Sequence, residues 1–359
     1  MLKKLSSALV LVLVMGIALT GCAPTRQAPA QDDDSNEDTV SGEPEVISSV
    51  DGKDVINMVV DGKTREFIVY RPTDIEEDSE VPVVFMFHGS GGTGEKYFEE
   101  ETGWKLKAEE EGFMTVFPTG LKYHVFDEEK VVQGEVRQDV AAYQTKWNGY
   151  GLSDSLDPAY PDQTLADDVK FTREMVDYVN EEYAADSNRF YATGFSNGSQ
   201  FTARLAVEMT DVFAAYAGVG AGPGYGKAQE QGVVDEETRE NFEPRSFISV
   251  FGSEDAKITH AAGVESFPLD ESAIEEEAYL RMAVVNQFLA LLKLEDDYDF
   301  EETERAAIFT FDENIDEEAS HEYTLMIAEG MGHIYPNGKN YPVDATDVFW
   351  PFFEENVLN

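Results

Sequence analysis

Asn188-Arg189-Phe190-Tyr191-Ala192-Thr193-Gly194-Phe195-Ser196-Asn197-Gly198 is the stretch that decides how the rest of the chain is read. A β-prone run ends in Gly-x-Ser-x-Gly. The segment after it carries Phe201, Leu205 and Met209 at i, i+4 and i+8, the spacing of one helix face. This order predicts a nucleophile elbow, a sharp strand-to-helix turn that holds Ser196 strained and exposed. Gly194 and Gly198 have a steric job there, since a Cβ on either would collide where the two backbones pass beside the serine. The following helix aims its first N–H groups at the same point, where they stabilise negative charge. A buried strand-turn-helix with an ordinary turn serine is the plain alternative.

Outward from this stretch, the chain keeps alternating. Residues 55–60 and 64–70 are β-prone runs separated by Asp61-Gly62, a strong hairpin signal. Residues 81–87 form a continuous apolar run, as in a strand buried on both faces, and open into His88-Gly89-Ser90-Gly91-Gly92. Residues 113–117 read as a similar strand, closed by Pro118-Thr119-Gly120. Leu165, Val169, Val176, Val179 and Tyr183 share one helix face. Asp167 and Asp168 fall in its first turn, where carboxylates suit the helix dipole better than catalysis. Downstream, 212–219, 246–251, 305–311 and 323–328 read as strands, 275–292 as a long helix and 345–356 as a closing one. The pattern predicts the α/β class, a mostly parallel twisted sheet with helices on both faces. Residues 121–163 break it. They are rich in aromatics (Tyr123, Phe126, Tyr143, Trp147, Tyr150, Tyr160) and lack a clear period, which suits a lid or pocket wall, or a surface loop stapled by its own aromatics.

The start of the chain is not part of this fold. Lys3 and Lys4 precede a short apolar run that ends Leu19-Thr20-Gly21-Cys22. Residues 1–22 read as a bacterial lipoprotein signal with Cys22 as the lipidated residue, or as a simple secretory signal cut nearby, and either implies export. Residues 23–45, with the acidic run from Asp32 to Asp38, read as a disordered tether; a calcium loop lacks its central glycine and distal glutamate here. Residues 46–359 are expected to form one α/β domain, the one that carries Ser196. Cys22 is the only cysteine, so that domain contains no disulfide, thiolate nucleophile or cysteine metal site. The whole chain's 72 acidic against 26 basic residues, a net charge of −46, argue against nucleic acid or anionic lipid headgroups as partners. Acids spread along the whole chain suit a hydrated surface adapted to high salt, or simply an acidic soluble protein.

A serine needs a base to take its proton, and the base needs a carboxylate to hold its tautomer. Of five histidines, His88 lies upstream in the glycine turn and His124 in the aromatic excursion, while His260 and His321 lack a glycine context and read as near the surface. His333, in Gly330-Met331-Gly332-His333 directly after the last strand, is the expected base. The acid is expected between serine and histidine in the chain, where the strand at 247–252 runs into Gly-Ser-Glu-Asp. That gives Asp255, with Glu254 as its neighbour and rival. The expected oxyanion donors are the backbone N–H of Asn197 and that of Ser90 or Gly91.

These pieces together, His88-Gly89-Ser90-Gly91-Gly92, Gly194-Phe195-Ser196-Asn197-Gly198, the Asp255 loop and Gly330-Met331-Gly332-His333, resemble the α/β-hydrolase esterases that include polyhydroxybutyrate depolymerases and feruloyl or acetylxylan esterases. Asp61-Gly62-Lys63-Thr64-Arg65 with Tyr70-Arg71-Pro72 is similar to that family's opening strands. Asp167-Asp168-Val169-Lys170-Phe171 is similar to its helix before the elbow. The resemblance covers about residues 50–358. It implies an exported serine esterase with Ser196 as nucleophile, Asp255 as acid, His333 as base and no cofactor. It further implies that His88, Gly89 and Trp147 lie by the substrate cleft. The substrate is then an ester, polymeric or not. A peptidase on the same fold and a polymer-binding lipoprotein without catalysis are the rivals. The family's frequent disulfides have no counterpart here.

Overall fold

The computed structural model describes residues 42–132, 135–230, 242–275 and 279–358. Cys22, the signal segment and nearly all of the tether lie outside these. Thirteen strands are described: β1 Glu45–Val50, β2 Lys53–Val60, β3 Lys63–Tyr70, β4 Val81–Phe87, β5 Met114–Pro118, β6 Leu121–Val132, β7 Glu135–Lys146, β8 Ala185–Phe195, β9 Ala215–Val219, β10 Phe247–Gly252, β11 Asp299–Glu302, β12 Ala306–Phe311 and β13 Tyr323–Ala328. Eleven of them form one sheet in the order β1-β2-β3-β5-β4-β8-β9-β10-β13-β12-β11, and β6 and β7 pair only with each other.

The centre of the sheet, β5-β4-β8-β9-β10-β13, is parallel, and both flanks are antiparallel. The expected parallel sheet is therefore its core. The opening hairpins take Asp-Gly turns. Asp61 and Gly62 have φ of 50° and 72°, and Asp51 and Gly52 have φ of 49° and 79°, the positive pairs that a type I′ turn demands. The β1 strand, which was not expected, starts at Glu45, the last residue of the expected tether.

Period-two alternation divides the core between the two faces. Along β4, Val83, Phe85 and Phe87 pack into one apolar cluster, and Val84 and Met86 into the other. The first is closed by the helices Asp168–Glu182 and Asn197–Glu208, the second by Trp104–Glu111 and Ala345–Glu354. The long helix expected over 275–292 is described only in its later part, as a π-helical turn Arg281–Val285 continuing into Asn286–Leu292.

Residues 121–132 and 135–146 are not a loop but the two strands of a long ribbon. Leu121, Tyr123 and Val125 share one apolar face of the first strand, but the second strand does not keep such a stripe. Tyr143 is 60% exposed, whereas Thr145 is buried and donates to Gly92 O. His124 sits between the rings of Tyr160 and Tyr143, at 3.6 and 4.3 Å between centroids.

Asp167 and Asp168 divide their roles. Asp167 caps its helix through the Lys170 N–H. Asp168 is wholly buried and accepts from Arg65 Nη2 at 2.6 Å and from the Asn148 N–H at 2.7 Å. The first-turn dipole reading therefore holds for Asp167 but misses the ion pair of Asp168.

Candidate active site

Ser196 follows β8, Asp255 follows β10 and His333 follows β13, all at the C-terminal ends of parallel strands. The topology thus carries three distant segments to one edge of the sheet. His333 Nε2 lies 3.0 Å from Ser196 Oγ, and His333 Nδ1 lies 2.7 Å from Asp255 Oδ2. The carboxylate accepts from Nδ1–H, which leaves the Nε2 lone pair facing the serine hydroxyl.

The elbow is strained as its sequence predicts. Ser196 has φ 52° and ψ −116° and caps the helix Asn197–Glu208. The two glycines have the expected cause. A Cβ on Gly194 would lie 2.3 Å from the Gly198 carbonyl, and one on Gly198 would lie 2.1 Å from Phe87 O. Strand, turn and helix can close around the serine only without those carbons.

Asp255 and His333 meet because their loops are bonded to each other. Ser253 N–H donates to Ala328 O, Glu254 N–H to Met331 O, and Gly330 N–H to Ser253 Oγ. A Cβ on Gly252 would lie 2.0 Å from Met331 O, so the contact needs glycine. Asp255 is 1% exposed, and its Oδ1 caps the helix Ala256–Ala262 through the Lys257 N–H. Glu254, its rival, points into solvent. Gly220 was not singled out in the sequence, although Gly218-Val219-Gly220 at a strand end is its signal. Its φ is 72°, and its Cα hydrogen faces the imidazole, where a Cβ would come within 3.2 Å of His333 Cε1.

The glycine loop after β4 is tightly bonded. Gly89 N–H donates to Tyr97 Oη, Gly91 N–H to Thr145 O and Gly92 N–H to Gly89 O. This removes Gly91 from the donor candidates. The Ser90 N–H finds no acceptor among the described residues, and Ser90 lines the cleft with Ser196 and Asn197. The cleft measures about 770 Å³.

His88 and Trp147 do not line it, which corrects the expectation that they contact substrate. Both are fully buried behind the wall, whereas Gly89 does line the cleft. His88 Nε2 accepts from the Gly120 N–H, so Nδ1 carries the proton and donates to Gly89 O. Trp147 donates its indole N–H to His88 O, and its backbone N–H and O are bracketed by Oδ1 and Nδ2 of Asn197. The two residues hold the glycine loop against the elbow helix. His321, expected near the surface, is also buried, with Nε2 bonded to Leu292 O, whereas His260 is exposed.

Burial drives the His88 ring down from an ordinary 6.5 to about 4. Between those two values the unfolded chain binds a proton that the folded chain excludes. This contribution to stability is therefore present above pH 6.5 and is lost as pH falls toward 4. Its full span is about 3 kcal/mol. His88→Asn is expected to flatten the decline of urea-unfolding stability between pH 6.5 and 4.5. A slope equal to that of the parent chain would mean the ring is not held neutral.

A parallel-centred sheet, a strained serine elbow after its central strand and acid and histidine on later strand ends define the α/β-hydrolase fold, which this chain has. Among solved structures, S-formylglutathione hydrolase from Agrobacterium tumefaciens shares it at 15% identity and a TM-score of 0.50, over 87% of this chain and 99% of that one. By sequence, the chain is similar to acetylxylan and feruloyl esterases of this type. Acetylxylan esterase A of Emericella nidulans is 30% identical over 166 residues, 45% of each chain. Feruloyl esterase B of Thermothelomyces thermophilus is 28% identical over 162 residues, 44% of this chain and 45% of that one. The chain spans less than half the length of these curated relatives. No protein-family profile matches it.

Proposed function

We propose that the chain is a serine carboxylic ester hydrolase that works through Ser196, His333 and Asp255. The observation that carries this reading is the continuous hydroxyl–imidazole–carboxylate relay, 3.0 and 2.7 Å, open to a cleft at Ser196. His333 takes the Ser196 proton as Oγ attacks the ester carbonyl, then passes it to the leaving alkoxide. Water repeats the sequence on the acyl-enzyme and releases the acid. Asp255 holds the tautomer and balances the imidazolium. The N–H groups of Ser90 and Asn197 receive the oxyanion, each donor being worth about 2.7–4 kcal/mol in the transition state. None of these steps calls on a cofactor.

The names of the similar proteins favour acyl or feruloyl esters of polysaccharide as substrates, with polyesters as the second class. The leader ending at Cys22 supports an exported protein, lipid-anchored to the outer face of a bacterial membrane. The test is a panel of p-nitrophenyl acetate, feruloyl, acetyl-xylan and polyhydroxyalkanoate esters beside a matched amide, with fluorophosphonate labelling read by peptide mapping. Ester turnover with the label on Ser196 is the expected result. Faster cleavage of the amide would point to a peptidase. No label would point to a binding protein.

A further inference from the structure

We infer that Tyr143, His124 and Tyr160 form a sugar-stacking platform that holds the main chain of a polysaccharide beside the cleft, while a pendant ester of that chain is cut at Ser196. The inference rests on the esterase reading above and adds a binding site for the polymer. Among the described residues nearly every aromatic ring is withdrawn from water. The exposed ones are Tyr143, Tyr160 and Tyr279, and two of these three flank one imidazole. The His124 ring lies 3.6 Å from that of Tyr160 at an interplanar angle of 4°, and 4.3 Å from that of Tyr143 at 27°. Tyr143 nevertheless stays 60% exposed and Tyr160 47%. A stack that served only to staple the ribbon would be expected to bury its outer rings, as the other aromatics of this chain are buried.

The stack is held at its middle. Gln163 brackets the His124 backbone, with Oε1 accepting its N–H at 2.7 Å and Nε2 donating to its O at 2.9 Å, and the Asp157 N–H donates to the same carbonyl. Ring planes fixed in advance lose little freedom when a ligand settles on them. Lys122 Nζ flanks the Tyr143 ring at 6.0 Å from its centroid and leaves it largely open. Neither tyrosine hydroxyl bonds to another described residue, so both are available to sugar hydroxyls. The platform also adjoins the cleft. Tyr143 directly precedes Gln144, which lines the cleft, and the Gly91 N–H donates to the carbonyl of Thr145, two residues further along β7. A strand rises about 3.3 Å per residue, so the platform begins about 7 Å along the strand from the point where the glycine loop is tied. Flat rings with hydroxyls at their rim match the C–H face and equatorial hydroxyls of a pyranose, whereas an aliphatic polyester offers no flat face. An uncharged glycan is also not repelled by a net charge of −46, as a polyanion is.

The experiment reads binding without turnover, on the Ser196→Ala chain, by native electrophoresis in gels that contain xylan, mannan or hydroxyethylcellulose. At least one of these glycans is expected to retard it. Adding Tyr143→Ser and Tyr160→Ser together is expected to weaken that binding about tenfold, whereas Tyr143→Trp, which keeps a flat ring, should retain it. With Ser196 in place, the same double variant should raise KM for the acetylated form of that glycan about tenfold with little change in kcat. Its turnover of p-nitrophenyl acetate, which has no main chain to reach the platform, should stay within about twofold of the parent chain. No retardation by any of the three glycans overturns the inference, and so does equal retardation of the double variant. A loss on p-nitrophenyl acetate that matches the loss on the polymer also overturns it, since the stack would then only support the ribbon. If the unmutated chain cleaves no ester, the esterase reading fails, while retardation by the glycans still decides this one.

Discussion

Ser196→Ala is expected to lower ester turnover by roughly a million-fold while leaving the unfolding midpoint almost unchanged. On the proposed mechanism Ser196 Oγ forms the acyl-enzyme, and without it the 3.0 Å contact from His333 Nε2 has nothing to activate. In enzymes of this kind, losing the nucleophile alone costs about as much as losing the whole relay, on the order of 10⁶ in kcat. A residual rate of about 10³–10⁴ over water is expected to persist, because the oxyanion donors at Ser90 and Asn197 do not depend on the hydroxyl. The fold should survive, since Ser196 Oγ is bonded to His333 and not to the core, and alanine keeps the same backbone demand at φ 52°. Stopped assays on p-nitrophenyl acetate and urea unfolding measure the two halves. Turnover within tenfold of the parent chain would remove Ser196 from the mechanism.

Arg65→Met carries the largest expected effect on stability, a loss of about 3–5 kcal/mol in urea unfolding. Arg65 and Asp168 are 2% and 0% exposed, and the guanidinium also lies 3.9 Å over the Phe171 ring. Removing the cation leaves a carboxylate in the interior with the Asn148 N–H as its remaining hydrogen-bond donor among the described residues and the Arg204 charge farther off. The double replacement Arg65→Met, Asp168→Leu should recover most of the loss, because it removes both charges from the core. If single and double variants fall equally, lost packing and not an uncompensated charge is the cause. Turnover should fall with the single variant as well. Asn148 adjoins Trp147, which braces both the elbow helix and the glycine loop, so slack at Asp168 reaches the oxyanion donors.

Much of the site was legible because its chemistry needs unusual backbone. Gly194, Gly198, Gly252 and the Gly330–Gly332 loop mark places where a Cβ has no room or a strand end must turn, and such constraints leave a mark in one-dimensional order. The parallel centre was legible for a related reason. Strands buried on both faces, such as β4 and β13, are apolar along nearly their whole length. The ribbon β6–β7 was not legible, since its described apolar stripe is short, Leu121, Tyr123 and Val125, and its second strand puts the exposed Tyr143 and the buried Thr145 on one face. The misplacement of His88 and Trp147 has the same origin. Proximity to the glycine loop says nothing about which side of it a ring occupies.

What the order of residues marked by itself is therefore the candidate nucleophile, its candidate base, and the sheet that carries them, since each rests on local sterics and on burial patterns internal to a single segment. Only the tertiary structure decided that Asp255 and not Glu254 reaches the imidazole, that Asp168 answers Arg65, and that Trp147 ties His88 to Asn197. Those are pairings between segments far apart in the chain. Their energies depend on distance and dielectric in the folded state, and neither is a property of any one stretch of sequence.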